Sequence, residues 1–431
     1  MDSEASEKAR RYRWLIFWTL AVGYFLVYFH RLCPSVVAVD MMKDLHASGG
    51  LLGLLGSAYF YPYALMQLPA GLLSDSWGPR RTITVFFVVA CIGSIILGLA
   101  PSLWWAVFGR ALAGLGVSML FVPAMKVLAE WFEAREFASM TGILIAMGGV
   151  GSISAFRPLA WLSAAVNWRG AFIIVGIVTL VLALLVWLIV RDRPSDMGWP
   201  GPADRAPGAP AIGLQEGVRT VLSTPAFWPL ALWFFFGCAV FFAFIGLWGG
   251  PYLMQVYGMS KGDAGNVLTM GAVGMIFGSP LLSLLSNRVF KGRKALLVIA
   301  SAATLALTTI LVLYTGRLSL TSLYLVCLGF GVFTNAIVVI GFTAAKELFP
   351  VSIAGTSTGL VNLFPFLGGA VFQPLLGHLL ELSGKLESGA FTVTGYRNAF
   401  IALMLSAAVA LAASIFIKET MCMAAAPGQD R

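Results

Sequence analysis

The sequence is short of charge. Of its 431 residues, 11% are Asp, Glu, Lys or Arg, while 59% are apolar. A soluble globular chain carries about 25% charged residues and about 45–50% apolar ones. With 28 basic and 19 acidic side chains, a soluble surface of this size cannot be solvated, which excludes a soluble enzyme and a disordered scaffold. Cysteine is scarce too. Cys33, Cys91, Cys238, Cys327 and Cys422 stand singly, with neither a disulfide framework nor metal-ligand spacing, so a disulfide-stapled secreted module is excluded and no metal is expected. A nucleophile–base set, a metal cluster and a phosphate-binding loop are all missing, so neither an enzyme nor a cofactor is expected. The net charge of +9 is not gathered into a patch of Arg and aromatics. It therefore does not point to nucleic acid, and in a membrane protein a basic excess reflects orientation signals.

What the chain has in quantity is long apolar runs. They lie at 14–39, 51–74, 82–100, 103–129, 137–163 and 170–190, then at 226–250, 265–287, 295–315, 319–345, 354–381 and 397–418. A crossing of the bilayer takes about 20 apolar residues. The expected fold is thus an all-α integral membrane protein with twelve transmembrane helices in two pseudo-symmetric bundles of six. Thirteen mostly polar residues precede Trp14, and the run that follows is longer than a signal peptide's apolar core, so it reads as the first crossing. The expected divisions are a tail at 1–13, a bundle at 14–190, a linker at 191–224, a second bundle at 225–418 and a tail at 419–431. The linker contains RDRPSDMGWPGPADRAPGAP, too rich in Pro, Gly and charge to bury a core. Residues 214–222 are expected to form a short amphipathic helix on the membrane surface.

With the N-terminus in the cytoplasm, the cytoplasmic segments carry 18 of the 28 Lys and Arg, the external loops 6, and the helices 4. That bias satisfies the positive-inside rule for an even number of spans. Both termini are expected in the cytoplasm and the protein in the cell membrane. The halves also repeat. Trp168-Arg169-Gly170-Ala171-Phe172 is echoed by Tyr396-Arg397-Asn398-Ala399-Phe400, and Glu130-Trp131-Phe132 by Glu347-Leu348-Phe349, with Gly142 and Gly359 following at equal spacing. Repeated halves joined by a linker are a transporter architecture, with substrate bound near the midplane where the halves meet.

Between helices 2 and 3 runs Gly71-Leu-Leu-Ser-Asp75-Ser-Trp-Gly78-Pro-Arg80-Arg81. A small residue permits close helix approach, a carboxylate at a helix junction can pair with Arg or a helix N-terminus, and Gly78-Pro79 makes the turn. This string resembles the signature loop of the major facilitator superfamily. The resemblance extends to Arg110-Ala-Leu-Ala-Gly114-Leu-Gly116 in helix 4 and to the six-plus-six layout. It also covers a degenerate repeat of the loop, Ser286-Asn287-Arg288-Val-Phe-Lys-Gly292-Arg293-Lys294, where Asn287 stands in place of the superfamily's usual Asp. That replacement predicts a weaker gate in the second half. The resemblance implies gating or structural roles for Gly71, Asp75, Gly78, Arg80, Arg81, Arg110, Gly114, Asn287 and Arg288. Gly148-Gly149-Val150-Gly151 has no proline until Pro158, unlike the helix 5 pattern of drug antiporters.

Four bases fall inside expected helices: Arg31, Arg110, Lys126 and Arg157, with no acid at comparable depth. Buried charge in lipid is costly and faces a cavity or a partner, so an uncompensated positive cavity predicts an anionic substrate. Tyr24, Tyr28 and Arg31 share one helical face, which offers two phenols and a guanidinium able to hold a carboxylate by two parallel bonds. The alternative for Arg31 is a base snorkelling to water. Tyr59, Tyr63 and Gln67 line helix 2 as a polar stripe, a cavity wall or an interhelical hydrogen-bonding surface. Lys126, Arg157, Trp248, Asn335, Asn362 and Gln373 complete the candidate cavity. Arg157 has the alternative of satisfying the carbonyl that Pro158 frees. His30 titrates near neutrality in its ordinary state and, with Asp40, is a candidate for proton coupling; a packed, hydrogen-bonded histidine is the other reading.

An Arg after an aromatic run in helix 1 resembles the organophosphate–phosphate exchangers and the anion–cation symporters. The exchangers carry a second Arg in helix 7, where this chain has Ile245-Gly-Leu-Trp248-Gly-Gly-Pro-Tyr252. A small organic anion, such as a carboxylate, moved by alternating access is therefore the expected cargo, and the carrier is expected to act as a monomer. The rival readings are a carrier of neutral or amphipathic solutes (drugs or siderophore-like metabolites), in which Arg31 is structural, and a transporter-like membrane sensor.

Overall fold

The computed structural model describes residues 2–200, 214–350 and 353–420. The remainder, which includes linker residues 201–213 and tail residues 421–431, lies outside this description. The described chain is helical throughout, with a single isolated bridge between Lys385 and Phe391. Eleven of its helices are long and apolar enough to cross a membrane. The expected helix 2 is not among them because it is broken into three pieces.

Contacts divide the chain into two compact units. The first comprises Met1–Cys33 and Tyr61–Gly208, the second Pro34–Phe60 and Ala209–Arg431. This differs from the bundle limits read from the apolar runs, since residues 34–60 pack with the second unit. The chain changes unit at Cys33–Pro34 and again at Phe60–Tyr61. Pro34 and Pro62 stand within two residues of these points, and a proline removes the amide that would continue the helix.

In the first unit α1 (Asp2–Leu32) ends just before Pro34, α4 (Phe60–Leu65) and α5 (Pro69–Trp77) are the lower pieces of the broken helix, and α6 (Pro79–Leu99), α7 (Leu103–Ser118), α8 (Phe121–Trp131), α9 (Ala134–Ser154) and α10 (Arg157–Ile189) follow. The interior of the first unit is aromatic and aliphatic, with Phe17, Phe87, Phe156, Trp168 and Phe172 fully buried. Trp104, Trp105, Leu184 and Leu188 are exposed, as a lipid-facing surface demands. α10 is two helices merged across a kink at Val166 and Asn167.

In the second unit α2 (Pro34–Asp44) and α3 (Gly49–Ser57) join α11 (Leu214–Ser223), α12 (Phe227–Ala243), α13 (Gly249–Tyr257), α14 (Lys261–Leu284), α15 (Lys294–Leu313), α16 (Leu320–Phe330), α17 (Val338–Glu347), α18 (Ala354–Leu382) and α19 (Val393–Phe416). α11 matches the short helix expected over 214–222, with Val221 buried. Three of the crossings contain a π-helical turn, at Phe244–Trp248, Leu285–Phe290 and Gly331–Ala336. Such turns displace the backbone register and expose a carbonyl. α2 and α3 are held very closely. A methyl group on Gly250 would meet the Ser35 carbonyl oxygen at 1.9 Å, and one on Gly53 would meet the Gln373 oxygen at 2.4 Å. Ser35 Oγ donates to the Leu247 oxygen at 3.3 Å, the Gly49 amide donates to Glu381 at 2.6 Å, and Lys261 pairs with Asp40.

Candidate functional site

Within the first unit, Tyr24, Tyr28 and Arg31 project from one face of α1, and Tyr63 reaches the same place from α4. The Arg31 guanidinium lies over the Tyr28 ring at 4.3 Å and the Tyr63 ring at 5.0 Å, measured to the centroids. Tyr24 packs edge-on to Tyr28 at 5.3 Å and tilts against Phe121 at 5.4 Å. Gln67 Nε2 donates to the Tyr63 carbonyl at 3.1 Å. Arg31, Tyr24, Tyr63 and Gln67 are all buried. Two aromatic faces stabilise a guanidinium by about 0.5–2 kcal/mol each, the larger figure where water is absent. A guanidinium can meet a planar anion by two parallel N–H bonds. Gly148 makes the space: a methyl group there would meet Tyr28 Cδ2 at 2.7 Å and Tyr24 Cδ1 at 3.1 Å. Phe121 and Gly148 are parts of this cluster that periodicity along helix 1 could not reveal, since they come from α8 and α9.

His30 points to a different side of α1. Its Nε2 lies 3.2 Å from Thr179 Oγ1. That hydroxyl donates its own proton to the Val175 carbonyl at 2.8 Å, so it accepts from Nε2–H, and the imidazole acts as a tether between α1 and α10. Arg110 reaches across from α7 and donates through NH1 to the His30 carbonyl at 2.8 Å. Gly114, one turn further along α7, is buried beside it in the helix interface.

Two intramembrane bases expected in the cavity stand elsewhere. Lys126 donates to Asp75 at 2.7 Å and to the Ser74 carbonyl at 3.1 Å, so it belongs to the motif loop. Arg157 is exposed at the start of α10 and stacks on Trp161 at 4.8 Å. The helix expected over 137–163 ends at Ser154, which removes Arg157 from its interior. Asp40, a proton-coupling candidate, forms an ion pair with Lys261 in the second unit. The polar stripe on helix 2 is also divided. Tyr59 falls in the turn between α3 and α4 and packs on Phe60 in the second unit, while Tyr63 and Gln67 stay in the first.

In the second unit Trp248 is fully buried and donates from Nε1 to the Gln373 carbonyl at 2.8 Å. Gln373 donates in turn from Nε2 to the Phe242 carbonyl at 2.8 Å. These two residues lock α18 to the π-helical turn of the seventh crossing and thus form a packed wall. Asn335 sits in the π-helical turn Gly331–Ala336, and Asn362 lies three residues before Pro365 in α18; both are half-buried.

The motif loops are built differently in the two units. In the first, Gly78 has φ +82°, and a methyl group there would meet Asp192 Oδ2 at 2.3 Å. Asp192 Oδ1 accepts from the Arg80 amide at 2.7 Å and so caps α6. The Arg80 side chain donates from Nε to the Trp187 carbonyl at 2.8 Å and stacks on the Trp187 ring at 4.2 Å, while Arg81 is exposed. Burial pushes the Asp192 carboxyl above the usual carboxylate range, partly opposed by the Arg80 amide bond. Gly71 has open space around it, with nothing within 4 Å of an added methyl group, so the close approach expected there is not made in this conformation. In the second unit Arg293 binds Asn287 at 2.6 Å, Ser286 at 2.8 Å and Glu347 at 2.8 Å. Glu419 caps α15 by accepting from the Arg293 and Lys294 amides at 2.8 and 3.0 Å. Arg288 is exposed at the surface. The weaker loop expected from Asn287 is thus supplied with a carboxylate from α17.

The model of the Major Facilitator Superfamily matches residues 20–373 and again residues 251–421. A "Probable hexose phosphate transport protein" of Chlamydia pneumoniae is 23% identical over 95% of this chain and 92% of its own length. A "Probable sulfoacetate transporter" of Cupriavidus necator is 25% identical over 87% of this chain and 89% of its own. The crystal structure of a D-xylose-proton symporter has the same fold, with a TM-score of 0.75 over 94% of this chain and 97% of that one at 14% identity. With its apolar crossings, its repeated motif loops and these matches together, the chain belongs to the Major Facilitator Superfamily and is a multi-pass membrane transport protein.

Proposed function

We propose that the protein carries a small organic anion with one negative head group, a carboxylate or sulfonate, by alternating access across the cell membrane, with both termini in the cytoplasm. The observation that carries this reading is the Arg31 cluster: a buried guanidinium lying over the rings of Tyr28 and Tyr63. A buried base in a membrane helix is expensive unless a partner of opposite charge visits it. An anion that neutralises Arg31 lowers that cost, so the loaded carrier changes conformation more easily than the empty one.

The two relatives described above are named for a sulfonated carboxylate and a phosphate ester, both organic anions. A phosphate dianion calls for a second base. The stretch 226–257, which holds α12 and α13, contains no Lys or Arg, which favours the singly charged head group. The tether of His30 to Thr179 and the pairing of Asp40 with Lys261 leave proton entry with the substrate, or exchange of one anion for another, as the coupling this reading prefers. The carrier is read as a monomer.

Uptake into proteoliposomes tests this directly, with labelled acetate, sulfoacetate, malate and glucose 6-phosphate in parallel. The expected result is Arg31-dependent uptake of a carboxylate or sulfonate, reduced to the protein-free background by Arg31→Ala. Uptake that survives Arg31→Ala overturns the site. Preference for glucose 6-phosphate over every singly charged head group overturns the charge assignment.

A further inference from the structure

Helix 1 is interrupted at the residue where it changes unit. α1 ends at Leu32, Cys33 forms a turn, and Pro34 opens α2. Pro34 has no amide hydrogen, so the carbonyl four residues earlier, that of His30, loses its helical partner. The His30 carbonyl is buried with its residue, where no water replaces the lost bond. The donor that meets it comes from another helix: Arg110 NH1 at 2.8 Å. The Cys33 thiol adds a weaker bond at 3.3 Å and is itself touched by Arg110 NH1 at 3.7 Å.

This carbonyl belongs to the peptide bond that joins His30 to Arg31. Whatever holds it fixes the peptide plane from which Arg31 departs, and with it the position of the guanidinium over the rings of Tyr28 and Tyr63. On the opposite side of the same turn, His30 Nε2 is anchored to Thr179. We infer that Arg110 is a positioning residue for anion binding: its guanidinium substitutes for the amide that Pro34 lacks and so sets the placement of Arg31. The inference rests on the reading of Arg31 as the anion-binding group. It gives Pro34 and Arg110 one joint role: the proline opens the helix at the unit boundary, and the arginine keeps the binding turn in shape despite the opening.

Pro34→Ala restores an amide that can bond to the His30 carbonyl, and so makes Arg110 dispensable for shape. The experiment compares the parent with Arg110→Gln, Arg110→Lys, Pro34→Ala, the Arg110→Gln/Pro34→Ala double variant and Arg31→Ala, all purified in detergent. Two quantities are read: affinity for each anion of the uptake panel, and deuterium exchange of peptides covering residues 26–36. Arg110→Gln is expected to weaken binding on the order of tenfold, the loss of one charge-assisted hydrogen bond, and to speed exchange in 26–36. Arg110→Lys, which keeps one charged donor, is expected to lie between. The double variant is expected to return both readouts to within about threefold of Pro34→Ala alone.

Equal losses in Arg110→Gln and the double variant overturn the inference, as does unchanged affinity in Arg110→Gln with only the melting temperature lowered. If Arg31→Ala binds as the parent does, or the parent binds none of the anions, the anion-site reading fails instead. The exchange of 26–36 and its reversal by Pro34→Ala then judge the Arg110–Pro34 relation without reference to any ligand.

Discussion

The two units repeat one plan with opposite materials. The first keeps its charge inside: Arg31 and Arg110 are buried on α1 and α7, and its helices interrupt at prolines and a kink. The second has no base between residues 226 and 257, and it interrupts its crossings with three π-helical turns. The motif loops share one device. Each unit caps the helix after its loop with a carboxylate from beyond its last crossing, Asp192 on α6 and Glu419 on α15. The ion pairs beside these caps are built from different positions. In the first unit the acid, Asp75, lies in the loop and the base, Lys126, on α8. In the second the base, Arg293, lies in the loop and the acid, Glu347, on α17. The two pairs do not stand at matching positions of the repeat, since Asp75 corresponds to Asn287 and Glu347 corresponds to Glu130 rather than to Lys126.

The largest difference between the units should appear when these pairs are broken. Arg293 and Glu347 have side chains 9% and 19% exposed, whereas Lys126 and Asp75 are 31% and 72% exposed. Arg293→Gln leaves Glu347 without its ion pair in a secluded place and is expected to cost about 3 kcal/mol. Lys126→Gln should cost about 0.5 kcal/mol or less. Denaturation in mixed detergent micelles measures both, and equal costs would remove the asymmetry.

A second contrast concerns close helix approach. Gly53→Ala places a methyl group 2.4 Å from the Gln373 oxygen, a backbone atom that cannot turn aside, and should destabilise by about 1–3 kcal/mol. Gly71→Ala meets nothing and should stabilise the helical piece that contains it by about 0.5–1 kcal/mol. The same denaturation assay reads both signs. Gly71→Ala behaving as badly as Gly53→Ala would show that the motif glycine is pressed in another conformation.

The smallest effect is one of pH. The Asp192 carboxyl is raised by burial, so the folded protein binds this proton more tightly than the unfolded chain does. Its contribution to stability is therefore greatest in acid and declines as pH rises from the ordinary carboxylate value through the raised one. Asp192→Asn should flatten the stability profile across that window. A profile that steepens, or a group that instead gains stability with rising pH, would mean that the Arg80 amide bond outweighs burial.

Eleven of the crossings, the motif loops and the grouping of Tyr24, Tyr28 and Arg31 were legible in the sequence because each follows from local periodicity or a short string. The placements that were not legible all depend on a partner from another helix. Lys126 reads as an intramembrane base until α8 sets it beside Asp75. Arg157 reads as mid-helix because the run 137–163 is mostly apolar, although Pro158, which stands in the first turn of α10, marks the break after Ser154. Tyr59, Tyr63 and Gln67 read as one stripe only if helix 2 is continuous, and the turns at 58–59 and 66–68 divide it. Arg110 and Pro34 lie 76 positions apart, so the bond that links them through His30 has no signature in either segment.

The most direct test of the anion-carrier account is the melting temperature of the purified protein against small anions and their neutral analogues, with Arg31→Ala measured alongside. An anion at 100 times its dissociation constant should stabilise the parent by about 2.7 kcal/mol. The account predicts a rise in melting temperature with a carboxylate or sulfonate, none with the neutral analogue, and none of either kind in Arg31→Ala. Neutral or amphipathic compounds that stabilise the parent and Arg31→Ala equally would contradict it and leave Arg31 a structural residue.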